Sequence, residues 1–216
     1  MITVHHLEDS RSQRVLWLLE ELGVPYTVRR YARDAKTRLA PPELRAVHPL
    51  GKSPVIDDDG RVVAETGAIV EYLVERHGGG ALIPSAGTDE RLRYTYWLHF
   101  AEGSAMPMLV MTLIFQRLAA AMPADAAAML QATQQGYVDP QRTAHLDLME
   151  AELSRGKWFA DEAFTAADVM LSFPVEAAAS RGGLGERPKL AAWLGRIHAR
   201  PGFQAALGKG GPYAYA

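Results

Sequence analysis

Three short segments of this chain combine residue types that could bind a small charged molecule. The first is Ser53-Pro54-Val55, where a proline stands just before an apolar run. A proline in this position often marks a cis peptide bond or a strand edge, and a cis bond would turn the backbone of Val55 outward. An outward amide and carbonyl could pair with an extended peptide, whereas a plain turn proline is the alternative interpretation.

The second segment is Glu65-Thr66, which stands where a helical pattern begins. A helix N-terminus attracts a carboxylate through its free N–H groups and its dipole, and Thr66 adds a hydroxyl. Glu65 would attract an ammonium group, so the pair matches the head of a free α-amino acid. The alternative is an ordinary helix cap beside a solvated glutamate.

The third segment is Ser10-Arg11-Ser12, between the first predicted strand and the first predicted helix. Ligands of α/β layers bind outside the carboxyl ends of the strands, so a hydroxyl there could donate to a substrate anion. The sequence shows no evident His/Asp relay beside either serine, which leaves an acyl-transfer triad unsupported. Helix capping is the alternative function for both serines.

Composition excludes several kinds of chemistry. The 216 residues include no cysteine, which rules out disulfides, Cys metal sites and every mechanism with a protein thiol. Any reactive thiol must therefore arrive with a substrate. The histidines lack metal-binding spacing, and the adjacent His5 and His6 point to opposite faces of a strand, so we expect no metal.

The net charge of −2 and the lack of a long Lys/Arg block argue against nucleic-acid binding. The longest apolar run, Met106–Phe115, is too short to span a membrane. No signal peptide is recognisable, so we expect a cytoplasmic protein without a membrane span.

The predicted secondary structure that positions these segments changes along the chain, from mixed strands and helices to helices alone. Residues 1–79 predict the order β-α-β-α-β-β-α, with Gly23 ending the first helix and a hairpin turn at Asp59-Gly60. The first two strands should be parallel and the last two antiparallel. This is a small α/β layer, thioredoxin-like in outline.

Residues 80–88 predict a linker, and residues 89–216 predict an all-helical domain. Pro107 should kink or break the first long helix of that domain. Thr165 and Asp168 have the spacing of a capping box, which we interpret as structural rather than catalytic.

Several of these segments, taken together, resemble one family. They are HHLEDSRSQRVLWLLEELGVPY, HPLGKSPV, AETGAIVEYL and FTAADVMLSFP. Their order across nearly the whole chain resembles the cytosolic-type glutathione transferases. The segments SRSQRVLWLLEELGVPY, APPELRAVHPLGKSP, AEGSAMP and VMLSFP are most similar to the fungal (yeast-type) subfamily I and its bacterial relatives.

The resemblance implies glutathione as co-substrate and a homodimer. It implies that the Ser53-Pro54-Val55 turn pairs with the cysteinyl amide and that Glu65 and Thr66 hold the γ-glutamyl head. Lys52 would lie near the glycyl carboxylate, with His48 as a second candidate there. Ser10 would stand at the sulfur, with Ser12 as the alternative.

The thiolate is the nucleophile, and a free thiol with a pKa near 8.5 is only about 3% ionised at pH 7. A charge-assisted hydrogen bond from Ser10 and the N-terminus of the first helix would together suffice to lower that pKa by about 2 units. Small hydrophobic electrophiles would then bind against the helical domain, with Met106, Met108, Met111 and Phe115 as candidate wall residues. Tyr213 and Tyr215 in the tail would either close this pocket or lie exposed.

The expected reaction is therefore glutathione conjugation, part of detoxification. One alternative is a peroxidase that uses glutathione as reductant in the same site. The other is a non-enzymatic interaction module with this fold.

Overall fold

The computed structural model describes residues 1–160 and 162–215, arranged as a four-stranded sheet layer followed by helices. The strands are β1 (Ile2–Leu7), β2 (Tyr26–Tyr31), β3 (Val55–Asp58) and β4 (Arg61–Ala64). The helices of this layer are α1 (Ser12–Leu22) and α2 (Thr66–His77), with a 3-10 helix at Pro42–Ala46. The order confirms the prediction, except that the second predicted helix is a single 3-10 segment.

The sheet has the strand order β2-β1-β3-β4. β1 and β2 are parallel, and β3 is antiparallel to both β1 and β4. Local signals predicted its connections well: Gly23 ends α1 in the left-handed region at φ 65°, and Asp59 and Gly60 both have positive φ in the hairpin turn. The prediction that Val55 offers a free strand edge is wrong, because Val55 is registered with His5 on one side and Ala64 on the other.

The second part of the chain is helical throughout its regular structure. Its helices are α3 (Asp89–Phe100), α4 (Met106–Ala121), α5 (Ala124–Thr133), α6 (Asp139–Glu152), α7 (Ala166–Ala179), α8 (Pro188–His198) and α9 (Pro201–Gly210). The change from mixed to helical structure falls between α2 and α3.

Two π-helical turns, Ala101–Ala105 and Gln134–Val138, each end two residues before a proline, Pro107 and Pro140. The turn Ala101–Ala105 comes just before Pro107 and separates α3 from α4, as expected of a helix-breaking proline. By length and composition alone, the stretch Asp89–Ala121 would suffice to cross a membrane. Here α3 and α4 instead pack against α7, and their buried residues belong to the shared core.

One continuous core joins the sheet layer to the helices. α1 packs against α2, α7 and α9, and its buried Trp17 makes an edge-to-face contact with Phe203 of α9. This packing fixes the start of α1, and with it Ser10 and Arg11, against the helical part of the chain.

The capping box at the start of α7 is present as predicted. Asp168 is fully buried, and its carboxylate accepts hydrogen bonds from the Thr165 and Phe159 backbone N–H groups and the Trp193 indole at 3.0–3.2 Å. Burial, which outweighs these hydrogen bonds, raises the pKa of Asp168 to about 6. The carboxylate thus ties three elements together far from the candidate site.

We expect Asp168→Ala to destabilise the protein by about 3 kcal/mol, because it leaves two or more buried donors unpaired. Thr165→Ala should cost about 1 kcal/mol. Turnover per folded molecule should stay unchanged in both variants. Thermal unfolding combined with activity normalised to the folded fraction checks this, and a collapse of turnover at an unchanged melting temperature would make these residues functional.

Candidate functional site

Two adjoining cavities lie where the sheet layer meets the helices. The smaller is lined by residues around the start of α2 and the turn before β3: Arg11, His48, Leu50, Lys52, Ser53, Pro54, Ala64, Glu65 and Thr66. The larger is a cleft of about 360 Å³ between the β1–α1 loop and helices α4 and α7. Arg11, Lys52 and Ser53 line both cavities, so the two adjoin.

The turn before β3 is organised by Ser53. The Ser53–Pro54 peptide bond is cis, one of the conformations that the sequence left open. The Ser53 hydroxyl donates to the His5 carbonyl at 2.7 Å and accepts from the Leu7 N–H at 3.2 Å. The Ser53 side chain therefore anchors the turn to β1. Val55 is buried outside the lining, which leaves Lys52, Ser53 and Pro54 as the residues of this turn that line the cavity.

The start of α2 presents one exposed acid and one buried hydroxyl. Glu65 is the N-cap residue and adopts φ 71°, a left-handed conformation that costs energy in a non-glycine residue. Its side chain is exposed, whereas Thr66 is buried as the first helical residue. The ordinary helix cap considered as the alternative is not formed, because Glu65 is the N-cap residue and makes no side-chain cap hydrogen bond. Both residues line the small cavity together, as the sequence predicted.

Ser10 and Ser12 differ in their access to the cleft. Ser10 lines it, whereas Ser12 is fully buried behind Ser10. Neither serine is the N-cap of α1: that position belongs to Arg11, although Ser10 Oγ accepts the Ser12 N–H at 3.3 Å. A ligand in the cleft can thus meet the hydroxyl of Ser10 but not that of Ser12.

A hydrogen-bonded chain that the sequence did not reveal runs inward from Ser10. Ser10 Oγ lies 2.7 Å from Ser12 Oγ, which lies 2.8 Å from His6 Nδ1. Burial, helped by the nearby Arg30 guanidinium, lowers the pKa of His6 to about 4, so the ring is neutral at pH 7. The alternation of side chains along β1 could have indicated this contact, because it places His6 and His5 on opposite faces of the sheet. His5 forms a hydrogen bond with Tyr31 on the other face.

The hydroxyl protons of this chain have more than one acceptor. Either serine can be the donor between Ser10 Oγ and Ser12 Oγ, and Ser12 can also donate to the Leu7 carbonyl at 3.3 Å. The Ser10 hydroxyl can therefore donate to Ser12 or to a ligand in the cleft.

Arginines connect the site to the helical part of the chain. Arg11 pairs with Glu102 at 2.7 Å, and the same carboxylate binds the fully buried Arg14. Arg14 also donates to the Met170 carbonyl at 2.5 Å. That carbonyl lacks its helical partner because the residue four positions on is Pro174, which has no N–H.

The residues that line the cleft include only one of the four wall residues predicted from the sequence. Met106 lines it, but Met108, Met111 and Phe115 do not. At 100° per residue these three lie on the opposite face of α4, whereas Met106 shares its face with Leu109, Val110, Leu113 and Arg117. Phe173 and Ala177 of α7 and Tyr215 of the tail complete the apolar lining.

The C-terminal tail folds over the site. Tyr215 packs edge-on against Phe173 in the cleft, while the Tyr213 hydroxyl donates to the buried Glu176 at 2.5 Å. The Ala214 N–H donates to Asp9, the residue before Ser10, at 2.9 Å. The tail therefore covers part of the cleft, one of the two outcomes left open by the sequence.

This fold, a thioredoxin-like layer joined to a helical domain with two adjoining cavities where they meet, defines the class of the glutathione transferases. Family models for the N-terminal and C-terminal domains of glutathione S-transferase match residues 10–76 and 110–201. The chain is 35% identical to glutathione S-transferase 3 of Schizosaccharomyces pombe, covering 97% of this chain and 88% of that one. It is 30% identical to glutathione S-transferase 1 of Saccharomyces cerevisiae, covering 97% and 95%.

A solved structure described as a glutathione S-transferase from Actinobacillus pleuropneumoniae superposes with a TM-score of 0.83 at 32% identity, covering 99% of this chain and 94% of that one. The chain belongs to the glutathione S-transferase family, and it is a glutathione transferase.

Proposed function

We propose that this enzyme conjugates glutathione to small hydrophobic electrophiles in a detoxification reaction, with Ser10 as the group that stabilises the thiolate. The observation that carries the proposal is that the two cavities adjoin at Arg11, Lys52 and Ser53, with Ser10 beside Arg11 in the lining of the larger cleft. A tripeptide held in the small cavity would present its sulfur there, at the mouth of the larger cleft and beside the N-terminus of α1.

Each end of glutathione has a chemically matching partner in the small cavity. Glu65 suits the ammonium of the γ-glutamyl head, and Thr66 with the first turn of α2 suits its carboxylate. The exposed Lys52 suits the glycyl carboxylate. The backbone of Lys52–Pro54 replaces Val55 as the partner for the cysteinyl amide.

The chemistry follows from the thiolate. The thiol proton leaves to water, and Ser10 donates a hydrogen bond to the sulfur anion. The sulfur lone pair forms a C–S bond with the electrophilic carbon, and the leaving group departs with the electrons of its own bond. Low-dielectric walls such as Met106 and Phe173 hold the apolar electrophile against the sulfur.

The proposal includes two further features, an assembly and a location. A homodimer is favoured by the exposed Leu92 and Tyr96, one turn apart on α3, since such apolar pairs are common in subunit interfaces. A cytoplasmic location stays a prediction from the sequence.

Retention on immobilised glutathione, followed by conjugation and hydroperoxide assays, tests the function. Conjugation of a haloarene supports the proposal. Hydroperoxide turnover without conjugation would favour the peroxidase alternative, and failure to bind glutathione would favour the interaction module.

Glu65→Ala should weaken glutathione binding by about five- to tenfold. Removing one partner of a fully buried ion pair would weaken binding more. We expect the smaller loss of affinity because the Glu65 carboxylate is exposed. Calorimetric titration measures it, with Glu71→Ala, an exposed glutamate farther along α2 and outside the cavity lining, as the control. An unchanged dissociation constant in Glu65→Ala would remove Glu65 from the site.

A further inference from the structure

The large cleft combines an apolar floor with an excess of positive charge. Its lining includes six basic residues and, among the described residues, Asp9 as the single acidic one. The basic residues are Arg11, Arg33, Arg38, Lys52, Arg117 and Arg181. A site built only for neutral hydrophobic molecules has no need for this imbalance.

Three of these charges are already accounted for. Arg11 pairs with Glu102, and Arg38 pairs with Glu8 and Asp9 at 3.3 and 3.5 Å. Lys52 lies in both cavities and suits the glycyl carboxylate of glutathione. None of the three is needed to bind the second substrate.

The remaining three arginines have no carboxylate within ion-pair distance in the described part of the chain. Arg33 donates to the backbone carbonyls of Glu8, Asp9 and Arg38, which holds the loop in place. Arg181 donates to the Ala177 carbonyl and stacks on Tyr215. Arg117 makes no hydrogen bond or ion pair with a described residue, so Arg117 and Arg181 are the cations most available to a ligand.

Arg117 and Arg181 lie at the end of the cleft away from the sulfur position. Arg11 binds Glu102 one helical turn before Met106, which places the Met106 end of α4 beside Ser10. Arg117 is eleven residues farther along, about 16 Å at 1.5 Å per residue. Arg181 follows α7 on the facing wall, one turn beyond Ala177. Leu109, Val110 and Leu113 fill the interval between the two ends.

We propose that the preferred electrophile is an amphiphilic anion, whose apolar body lies on the α4 stripe and whose carboxylate or comparable acidic group is bound by Arg117 and Arg181. Guanidinium groups bind such anions in a forked geometry that ammonium groups cannot match. This inference rests on the proposed conjugation reaction and specifies its substrate class.

The test compares two probes that differ only in charge: a chlorodinitrobenzoate and the corresponding chlorodinitrobenzamide. Both react by displacement of chloride by the thiolate, with C–S bond formation and chloride leaving with its bonding pair. We expect a lower KM for the benzoate, and a difference that shrinks as salt rises toward about 0.5 M, where charges are screened within a few ångströms.

Arg117→Gln and Arg181→Gln should each raise the KM for the benzoate by about five- to tenfold and leave the KM for the benzamide unchanged. Arg155→Gln, which removes a charge whose side chain is 80% exposed outside the cleft, is the matched control. Equal KM values for both probes in the unsubstituted enzyme, or equal losses in the arginine variants, would overturn the inference. Lack of turnover of both probes, with glutathione still bound, would instead count against the conjugation reaction itself.

Discussion

Ser10→Ala should raise the thiol pKa of bound glutathione by about one to two pH units, because a charge-assisted hydrogen bond contributes about 1.5–3 kcal/mol. Turnover near pH 6.5 should consequently fall by about ten- to a hundredfold and recover partly as the pH rises. Glutathione affinity should change less, since the two ends of the tripeptide have their own partners. Ultraviolet titration of the bound thiolate measures the pKa directly.

Ser12→Ala is the informative comparison, although it is not the simple loss of a helix cap expected from the sequence. Ser12 shares one hydrogen bond with Ser10 and another with the buried His6. Its removal leaves His6 Nδ1 without a partner, at a cost of about 1–3 kcal/mol in stability. Because it also removes the acceptor that competes for the Ser10 proton, activation of the thiol by Ser10 should survive.

The two variants together separate the possible activating groups. A thiol pKa raised in Ser10→Ala but not in Ser12→Ala identifies Ser10. An equal rise in both variants would mean that the intact chain to His6 is required. An unshifted pKa in Ser10→Ala would assign activation to Arg11 or to backbone N–H groups at the start of α1.

The features predicted correctly from the sequence are those with local causes. Gly23, the Asp59-Gly60 turn and the capping box at Thr165 each depend on a few neighbouring residues whose backbone preferences are intrinsic. The Ser53–Pro54 bond and the shared location of Glu65 and Thr66 are of the same kind. The residues that line the small cavity therefore lie in short, contiguous segments that can be recognised from the sequence.

The errors arose where helical geometry or distant contacts decide. Met106, Met108, Met111 and Phe115 cannot share one face of an α-helix, a constraint that spacing alone imposes. The cationic end of the cleft was not predictable in this way, because Arg117 and Arg181 line one cleft only through the packing of α4 against α7. The free edge assigned to Val55 failed because the hairpin partner and β1 enclose β3 from both sides.

Glu102→Gln should lower the free energy of unfolding by about 2–4 kcal/mol. Arg14 is buried to 1% exposure, and loss of the carboxylate leaves its guanidinium charge unpaired in the interior. The consequence extends to α7, because Arg14 also supplies the hydrogen bond that Pro174 cannot give to the Met170 carbonyl. Chemical denaturation measures the loss, and Asp147→Asn, which breaks the exposed pair with Arg187, should cost less than about 1 kcal/mol.

The pH dependence of stability provides a second, independent measurement of the same contact. Burial alone would raise the pKa of Glu102, but the charges of Arg14 and Arg11 outweigh it and hold that pKa below the model-compound value of 4.5. The stabilisation is therefore fully present above pH 4.5 and is lost as the pH falls through the lower pKa of the folded state. Glu102→Gln removes this titration, so the stability of the variant and of the unsubstituted enzyme should converge in acid. A constant difference between them from pH 7 down to about pH 3 would show that the carboxylate charge does not stabilise Arg14.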